Sequence, residues 1–167
     1  MATSVVRLYD LSVAMTNAGP AGWVSDRRGY RYEATDPQTG LPWPPMPPLF
    51  LDIAARAAEA VGFEGFAPDA CLINRYAPGA RLTLHQDRDE KNLRQPIVSV
   101  SLGLPATFLW GHETRGGKLR RVPLVHGDVV VWGGQSRMVF HGVDGLKDGR
   151  HPLTGALRYN LTFRSAL

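Results

Sequence analysis

Cysteine is almost missing from this 167-residue chain: Cys71 is the only one. An intrachain disulfide and a thiolate metal cluster are therefore excluded, and a reducing cytoplasm is the expected setting. Cys71 itself reads as a small apolar residue entering a buried strand. No apolar run approaches the ~20 residues of a membrane helix, so no membrane span is expected. The opening MATSVVRLYDLSVAMTN lacks the charged flank and apolar centre of a secretory signal. Charged residues stand at 20% and hydrophobic ones at 44%, the balance of a folded domain rather than a disordered chain. The length fits one domain with its own core. Abundant instead are glycine and proline, 18 and 13 of them, which favour turns and short strands over a helical bundle. The net charge of +4 and pI near 9.6 suit a polyanionic partner such as nucleic acid without demanding one.

Residues 5–16 have strand character. A loop-rich span follows from Asn17 to Pro48, ending in Pro42-Trp43-Pro44-Pro45-Met46-Pro47-Pro48, where dense proline fixes an extended path and forbids a helix. Leu49, Phe50, Ile53, Ala54, Ala57, Ala60 and Val61 then recur at helical spacing, with Gly62 as the stop. From Ala70 onward the pattern turns to short β segments at 70–76, 80–85, 96–104, 106–110, 119–124, 127–133, 137–142 and 156–164. Turn signals such as Pro78-Gly79 and Gly116-Gly117 separate them. About eight strands with one flanking helix predict a mainly β double-sheet or jelly-roll fold.

The chemistry concentrates in His85-Gln86-Asp87, a distant His141, and the segment Arg158-Tyr-Asn-Leu-Thr-Phe-Arg164. Positions i and i+2 of a strand share a side, so His85 and Asp87 can converge on one ion. Two imidazoles and a carboxylate hold Fe(II) on one face and leave the opposite positions open. Zinc is the competing metal for the same donors. His112, His126 and His151 sit in turns or charge-rich loops and read as non-ligands. Arg158, Asn160 and Arg164 share a side of their strand, and guanidinium forks suit a dicarboxylate. Asn74 and Tyr76 alternate likewise in LINRY and can add neutral hydrogen bonds. In GWVSDRRGYRY, aromatics interleave with Arg27, Arg28 and Arg31, as stacking on a base and contact with its phosphates require. The same aromatics would equally pin a loop to a barrel. Asp89 and Glu90 fit a solvated charge cluster as well as a substrate contact. Ser99 and Trp132 read as barrel interior.

Taken together, Asn74-Arg-Tyr76, His85-Gln-Asp87, His141 and the Arg158–Arg164 segment resemble the AlkB family of nucleic-acid dealkylating dioxygenases. The likeness extends through Met15-Thr-Asn, Trp23, Tyr30, Asp36-Pro-Gln-Thr, CLINRYAPGA, LHQDRDE, PIVSVSLGLPA, HGDVVVWGG and HPLT, nearly the whole chain, and is strongest toward bacterial members. It implies a double-stranded β-helix with Fe(II) held by His85, Asp87 and His141. It also implies 2-oxoglutarate held by Asn74, Tyr76, Arg158, Asn160 and Arg164, with Arg164 on the distal carboxylate and Arg158 nearer the chelating end. Residues 1–48 would form a nucleotide-recognition lid within the same domain, and 49–167 the helix and catalytic core. In that lid Trp23 would stack on a flipped base against His85, and Tyr30 would touch a phosphate. Asp89 would approach the exocyclic amine, with Met15 and Arg88 among the substrate contacts. Bacterial members carry a further N-terminal segment, whereas this sequence starts almost at the first lid strand.

The resemblance implies O2-dependent demethylation of bases such as 1-methyladenine and 3-methylcytosine in single- or double-stranded DNA, or in RNA, releasing formaldehyde and succinate. The catalytic residues would be His85, Asp87, His141 and Arg164; the single domain predicts a monomer, and the single cysteine predicts a cytoplasmic enzyme. Open alternatives are an oxygenase of the same fold acting on RNA or protein, a non-catalytic metal-containing nucleic-acid-binding module, and a zinc hydrolase.

Overall fold

The computed structural model describes residues 13–167, so most of the strand expected at 5–16 lies outside the described residues. Antiparallel pairing organises two sheets and a separate hairpin. The larger sheet runs in the order β1 (Ala14–Ala18), β4 (Ala70–Tyr76), β11 (Arg158–Arg164), β6 (Ile97–Gly103), β9 (Val129–Trp132). The smaller runs β5 (Leu82–His85), β10 (His141–Val143), β7 (Ala106–Trp110), β8 (Arg120–Leu124). Tyr76, Ile97, Leu104, Phe108, Leu124, Trp132 and Val143 form the core between them. This is the expected mainly β, jelly-roll architecture, and among the described residues no helix is long and apolar enough to cross a membrane.

The loop-rich span before the helix contains more order than its glycines and prolines predict. Gly22–Asp26 (β2) pairs with Gly29–Glu33 (β3) in a hairpin. Two turn residues, Arg27 and Arg28, connect the strands; Asp26 closes the turn by accepting from the Arg28 backbone N–H, and Gly29 takes φ +98°, a conformation open to glycine at low cost. Gly22 has a different reason: a Cβ there would stand 2.4 Å from the Trp43 indole. That close approach seats the proline-rich segment against the hairpin's foot.

Helix α1 covers Pro48–Glu59, with proline tolerated in the first turn because that N–H has no helical partner. Its buried face is narrow: Ala54 and Ala58 are fully covered, with Phe50, Ile53 and Ala57 beside them. Leu49 and Val61, expected on that face, are exposed. The helix ends before Val61, and the chain turns away through Gly62 at φ +89°. The small methyl faces let the helix lie close on the outer side of the larger sheet.

Strand alternation then decides the rest. In β11 the apolar Leu161 and Phe163 point outward to α1, together with Cys71, Val98 and Val100. The polar set Arg158, Asn160, Thr162 and Arg164 points between the sheets and is buried. A polar interior face is the reverse of an ordinary half-buried strand and requires polar partners there. Of the strand expected at 137–142 only the end is observed, in the short β10 at His141–Val143; a 3-10 turn at Gly134–Ser136 precedes it and residues 137–140 are unpaired by any sheet. Turn bonds from Arg137 N–H to Gly134 and from Val139 N–H to Ser136 hold the chain out of the sheet until His141.

Candidate metal and co-substrate site

The register of the smaller sheet brings the two imidazoles together. His141 on β10 lies directly across from His85 at the end of β5, with ring centroids 4.5 Å apart. Asp87, two residues beyond, folds back between them: its Oδ1 is 3.6 Å from His85 Nε2 and its Oδ2 is 3.6 Å from His141 Nε2. Among the described residues this is the one group of His, Cys, Asp and Glu whose donor atoms converge, all within 4.8 Å. Gly142 makes the approach possible, since a Cβ there would meet the Leu82 carbonyl oxygen at 2.6 Å.

Hydrogen bonding fixes how those rings are presented. His85 Nδ1 lies 2.8 Å from the Thr83 carbonyl, and His141 Nδ1 lies 2.9 Å from the Val139 carbonyl. A carbonyl only accepts, so each Nδ1 carries a proton and donates. In the neutral rings each Nε2 then turns a lone pair toward the Asp87 carboxylate. Two acceptors 3.6 Å from a third repel unless a proton or a cation stands among them. That orientation, set by carbonyls behind the rings, is the usual support of metal-binding histidines. Burial opposes charge on His85, but the Asp87 carboxylate beside it outweighs that and raises its pKa above 6.5. Burial would raise Asp87; Arg164, His141 and His85 instead hold its carboxyl well below the ordinary range.

The larger sheet supplies the rest of the cavity, whose volume is about 370 Å³. Asn74 and Asn160 lie opposite each other in register, as do Tyr76 and Arg158. Met15, Trp23, Tyr30, Arg88 and Asp89 line the same cavity at exposed or half-exposed positions, while Asn74, Tyr76, Arg158, Asn160 and Arg164 line it from buried ones. The thirteen residues expected to bind metal, co-substrate or substrate thus border one space, whereas Arg27, Arg28 and Arg31 do not.

The two arginines are in different states. Arg164 Nη2 donates to Asp87 Oδ2 at 2.9 Å, beside the candidate ligands. Arg158 is 1% exposed, donates Nη2 to Ser101 Oγ at 3.0 Å and stacks over the Tyr76 ring at 5.8 Å. Its Nε and Nη1 have no partner, nor has Asn74 Oδ1. Burial lowers the Arg158 pKa. The resemblance implies Arg164 on the distal carboxylate and Arg158 nearer the chelating end; in the structure Arg164 is the one that lies beside Asp87 and pairs with it. Tyr76 is raised to about 12 by burial, so its hydroxyl stays a neutral hydrogen-bonding group.

At the exposed side, Trp23 Nε1 donates to Asp89 Oδ2 at 2.9 Å, and its ring stacks on Tyr30 with centroids 5.4 Å apart. Asn17 grips the Trp23 backbone from both sides. Arg28 and Arg31, expected to face phosphates, are paired with Asp26 and Glu33 inside the hairpin. Glu90 is not a solvated charge: 2% of its side chain is exposed and it pairs with Arg137 at 2.9 Å. The sequence does not single out Arg137, and it marks Tyr32 only as an aromatic of the loop-rich span; the Tyr32 hydroxyl donates to Glu90 at 2.6 Å, and the acid beside a candidate ligand was the available signal. Arg115 also lines the cavity, its guanidinium 5.0 Å over the Phe140 ring. His126 and His151 stack on each other, and their Nδ1 atoms accept from the backbone N–H groups of Gly103 and Leu153, away from the His85 group.

A two-histidine, one-carboxylate group facing a buried cationic fork defines a class. Residues 2–164 match the 2OG-Fe(II) oxygenase superfamily. The alpha-ketoglutarate-dependent dioxygenase AlkB of Escherichia coli (strain K12) is 61% identical over 158 residues, 95% of this chain and 73% of that protein. The AlkB homolog of Caulobacter vibrioides is 47% identical over 93% of this chain and 70% of its own length. The solved structure of OsALKBH1 superposes with a TM-score of 0.79 at 32% identity, covering 91% of this chain and 77% of that one. The chain belongs to the AlkB family and is an Fe(II)/2-oxoglutarate-dependent dioxygenase, with O2 as the second co-substrate. The donor set and the unpartnered Arg158 and Asn74 atoms fit both groups.

Proposed function

We propose that this enzyme removes alkyl groups from damaged nucleobases, with DNA bearing 1-methyladenine or 3-methylcytosine as its leading substrate. Relatives named as a DNA N(6)-methyladenine demethylase in Arabidopsis thaliana and a tRNA demethylase in Schizosaccharomyces pombe support a nucleic acid and leave RNA as the second arm of the test. The observation that carries the reading is the meeting of three donors, His85, Asp87 and His141, with a buried Arg158 whose Nε and Nη1 point to no protein acceptor.

In this reading His85, Asp87 and His141 hold Fe(II). Bound iron with 2-oxoglutarate and O2 supplies the oxidation of an N-methyl C–H bond, the keto acid leaving as succinate and CO2. Arg158 takes the far carboxylate of the co-substrate in a charge-assisted bond, with the neutral Tyr76 hydroxyl beside it. Arg164 holds Asp87 in its coordinating orientation and adds positive charge where the other carboxylate lies, with Asn74 and Asn160 as neutral partners. Residues 1–48 act as the lid of the single domain. Trp23 stacks on a base extruded from the helix and gains about 0.5–2 kcal/mol when alkylation makes that base a cation. Asp89, already fixed by the indole N–H, favours the same positive charge, while Tyr30, Met15 and Arg88 complete the contacts. Extrusion costs least where alkylation has already broken the pair or the strand is single. A monomer in a reducing cytoplasm belongs to the proposal, in keeping with a single buried cysteine.

The test is mass spectrometry of a single-stranded oligonucleotide carrying 1-methyladenine, incubated aerobically with the protein and Fe(II), with and without 2-oxoglutarate. Loss of one methyl group only with the co-substrate is the expected result. An oligodeoxynucleotide left intact while methylated RNA loses its methyl group would overturn the choice of DNA. No succinate on any substrate would overturn the roles given to the site residues.

A further inference from the structure

The hairpin and the metal end of the cavity share one buried carboxylate. Oε1 of Glu90 accepts from the Tyr32 hydroxyl at 2.6 Å and lies 3.3 Å from Arg164 Nε. Oε2 accepts from Arg137 Nη2 at 2.9 Å. Arg137 also donates Nη1 to the Asp87 backbone carbonyl at 2.5 Å and Nε to that of Gln95 at 3.1 Å. Asp87 is therefore held twice, by its carbonyl through Arg137 and by its carboxylate through Arg164, and both arginines converge on Glu90.

Charge balance explains part of this: two buried arginines need two buried carboxylates, and Asp87 and Glu90 supply them. It does not explain Tyr32. That residue belongs to β3, directly across the hairpin from Trp23, and its hydroxyl shares Oε1 with Arg164. One oxygen thus serves a donor from the segment that bears the stacking indole and a donor from the strand that grips Asp87. Any shift in how the hairpin seats changes the share of Oε1 left to Arg164, and any new anion drawing on Arg164 changes the share left to Tyr32. Hydrogen bonds chained in a low-dielectric interior strengthen or weaken together.

We propose that Glu90 is a positioning residue that couples seating of the β2–β3 hairpin on nucleic acid to the co-substrate end of the metal site, through Tyr32 on one side and Arg164 on the other. The inference rests on the function proposed above. By linkage the effect is reciprocal: substrate tightens 2-oxoglutarate by the factor by which 2-oxoglutarate tightens substrate.

The experiment is an anaerobic titration of Fe(II)-loaded protein with 2-oxoglutarate, read by the visible charge-transfer absorption of the chelated keto acid. It is run with and without a saturating 1-methyladenine oligonucleotide. In the parent the oligonucleotide tightens 2-oxoglutarate by about threefold or more, and in both Tyr32→Phe and Glu90→Gln the factor falls to about 1.5 or less. Tyr32→Phe keeps the ring and removes only the hydroxyl, so it decides the matter alone if Glu90→Gln does not fold, as thermal unfolding will tell. A merely structural Tyr32 would lower the unfolding midpoint and leave the factor intact, and that result overturns the inference. So does a parent in which the oligonucleotide leaves 2-oxoglutarate affinity unchanged. A parent that binds no 2-oxoglutarate at all overturns the proposed function itself.

Discussion

Arg158→Met separates a co-substrate clamp from a structural cation because the two roles predict opposite signs. Arg158 is buried at 1% exposure with a single side-chain hydrogen bond, to Ser101, and two donors without partners. Methionine fills much of the same volume with no charge to desolvate. The variant loses one hydrogen bond, about 1 kcal/mol, and sheds the burial cost of an unpaired cation, so its stability without ligand stays within about 1 kcal/mol of the parent or rises. Co-substrate binding moves the other way. Two charge-assisted bonds at about 1.5–3 kcal/mol each put the loss at about 3–6 kcal/mol, or 10²- to 10⁴-fold in 2-oxoglutarate affinity. The assay is thermal unfolding of the metal-loaded protein with and without 2-oxoglutarate. At 100 times its dissociation constant the co-substrate stabilises the parent by about 2.7 kcal/mol, roughly 5–10 °C for a domain of this size. The variant at the same concentration should show no shift. A ligand-free variant destabilised by about 3 kcal/mol or more, with the parent's shift retained, would refute the clamp.

Stability against pH reports the metal. In the metal-free protein His85 titrates above 6.5, so its pairing with Asp87 contributes fully below that value and is lost as pH rises through the raised pKa. Thermal midpoints should therefore fall as pH rises above 6.5 without metal, and should rise over the same range with metal, which requires the neutral imidazole. Gly142→Ala would set a Cβ 2.6 Å from the Leu82 carbonyl oxygen; it should push β5 and its His85 off β10 and lower metal affinity by about tenfold or more, read by metal titration. Trp23→Ala should lower turnover of the alkylated oligonucleotide by about tenfold or more, from a stacking contribution of about 1–3 kcal/mol. 2-Oxoglutarate consumption without nucleic acid should persist, and equal loss of both would make Trp23 a structural residue.

What the sequence made legible follows the length scale of the interactions. Period-2 alternation and punctuation by glycine located nearly every strand of the two sheets, because each strand carries its own pattern. His85, Asp87 and His141 were recognisable as a set because ligand chemistry restricts the residue types. The hairpin at 22–33 was hidden, since buried alternation is confined to Gly22–Val24 of β2 and the rest of both strands is exposed or half-buried. Which arginine pairs beside the metal ligands was hidden for a different reason. Arg158 and Arg164 are alike in residue type and side of strand; what distinguishes them is that Asp87 and Glu90 arrive from another segment and occupy Arg164. Glu90 in turn looks like any acid in QDRDEK until Arg137 and Tyr32 close over it. Local pattern specifies which residues enter the cavity, and pairing between distant segments decides which of them remains free to bind. On the function proposed above, it is the arginine that the fold leaves with free donors, Arg158, and not the one engaged beside the metal ligands, that takes the far carboxylate of the co-substrate.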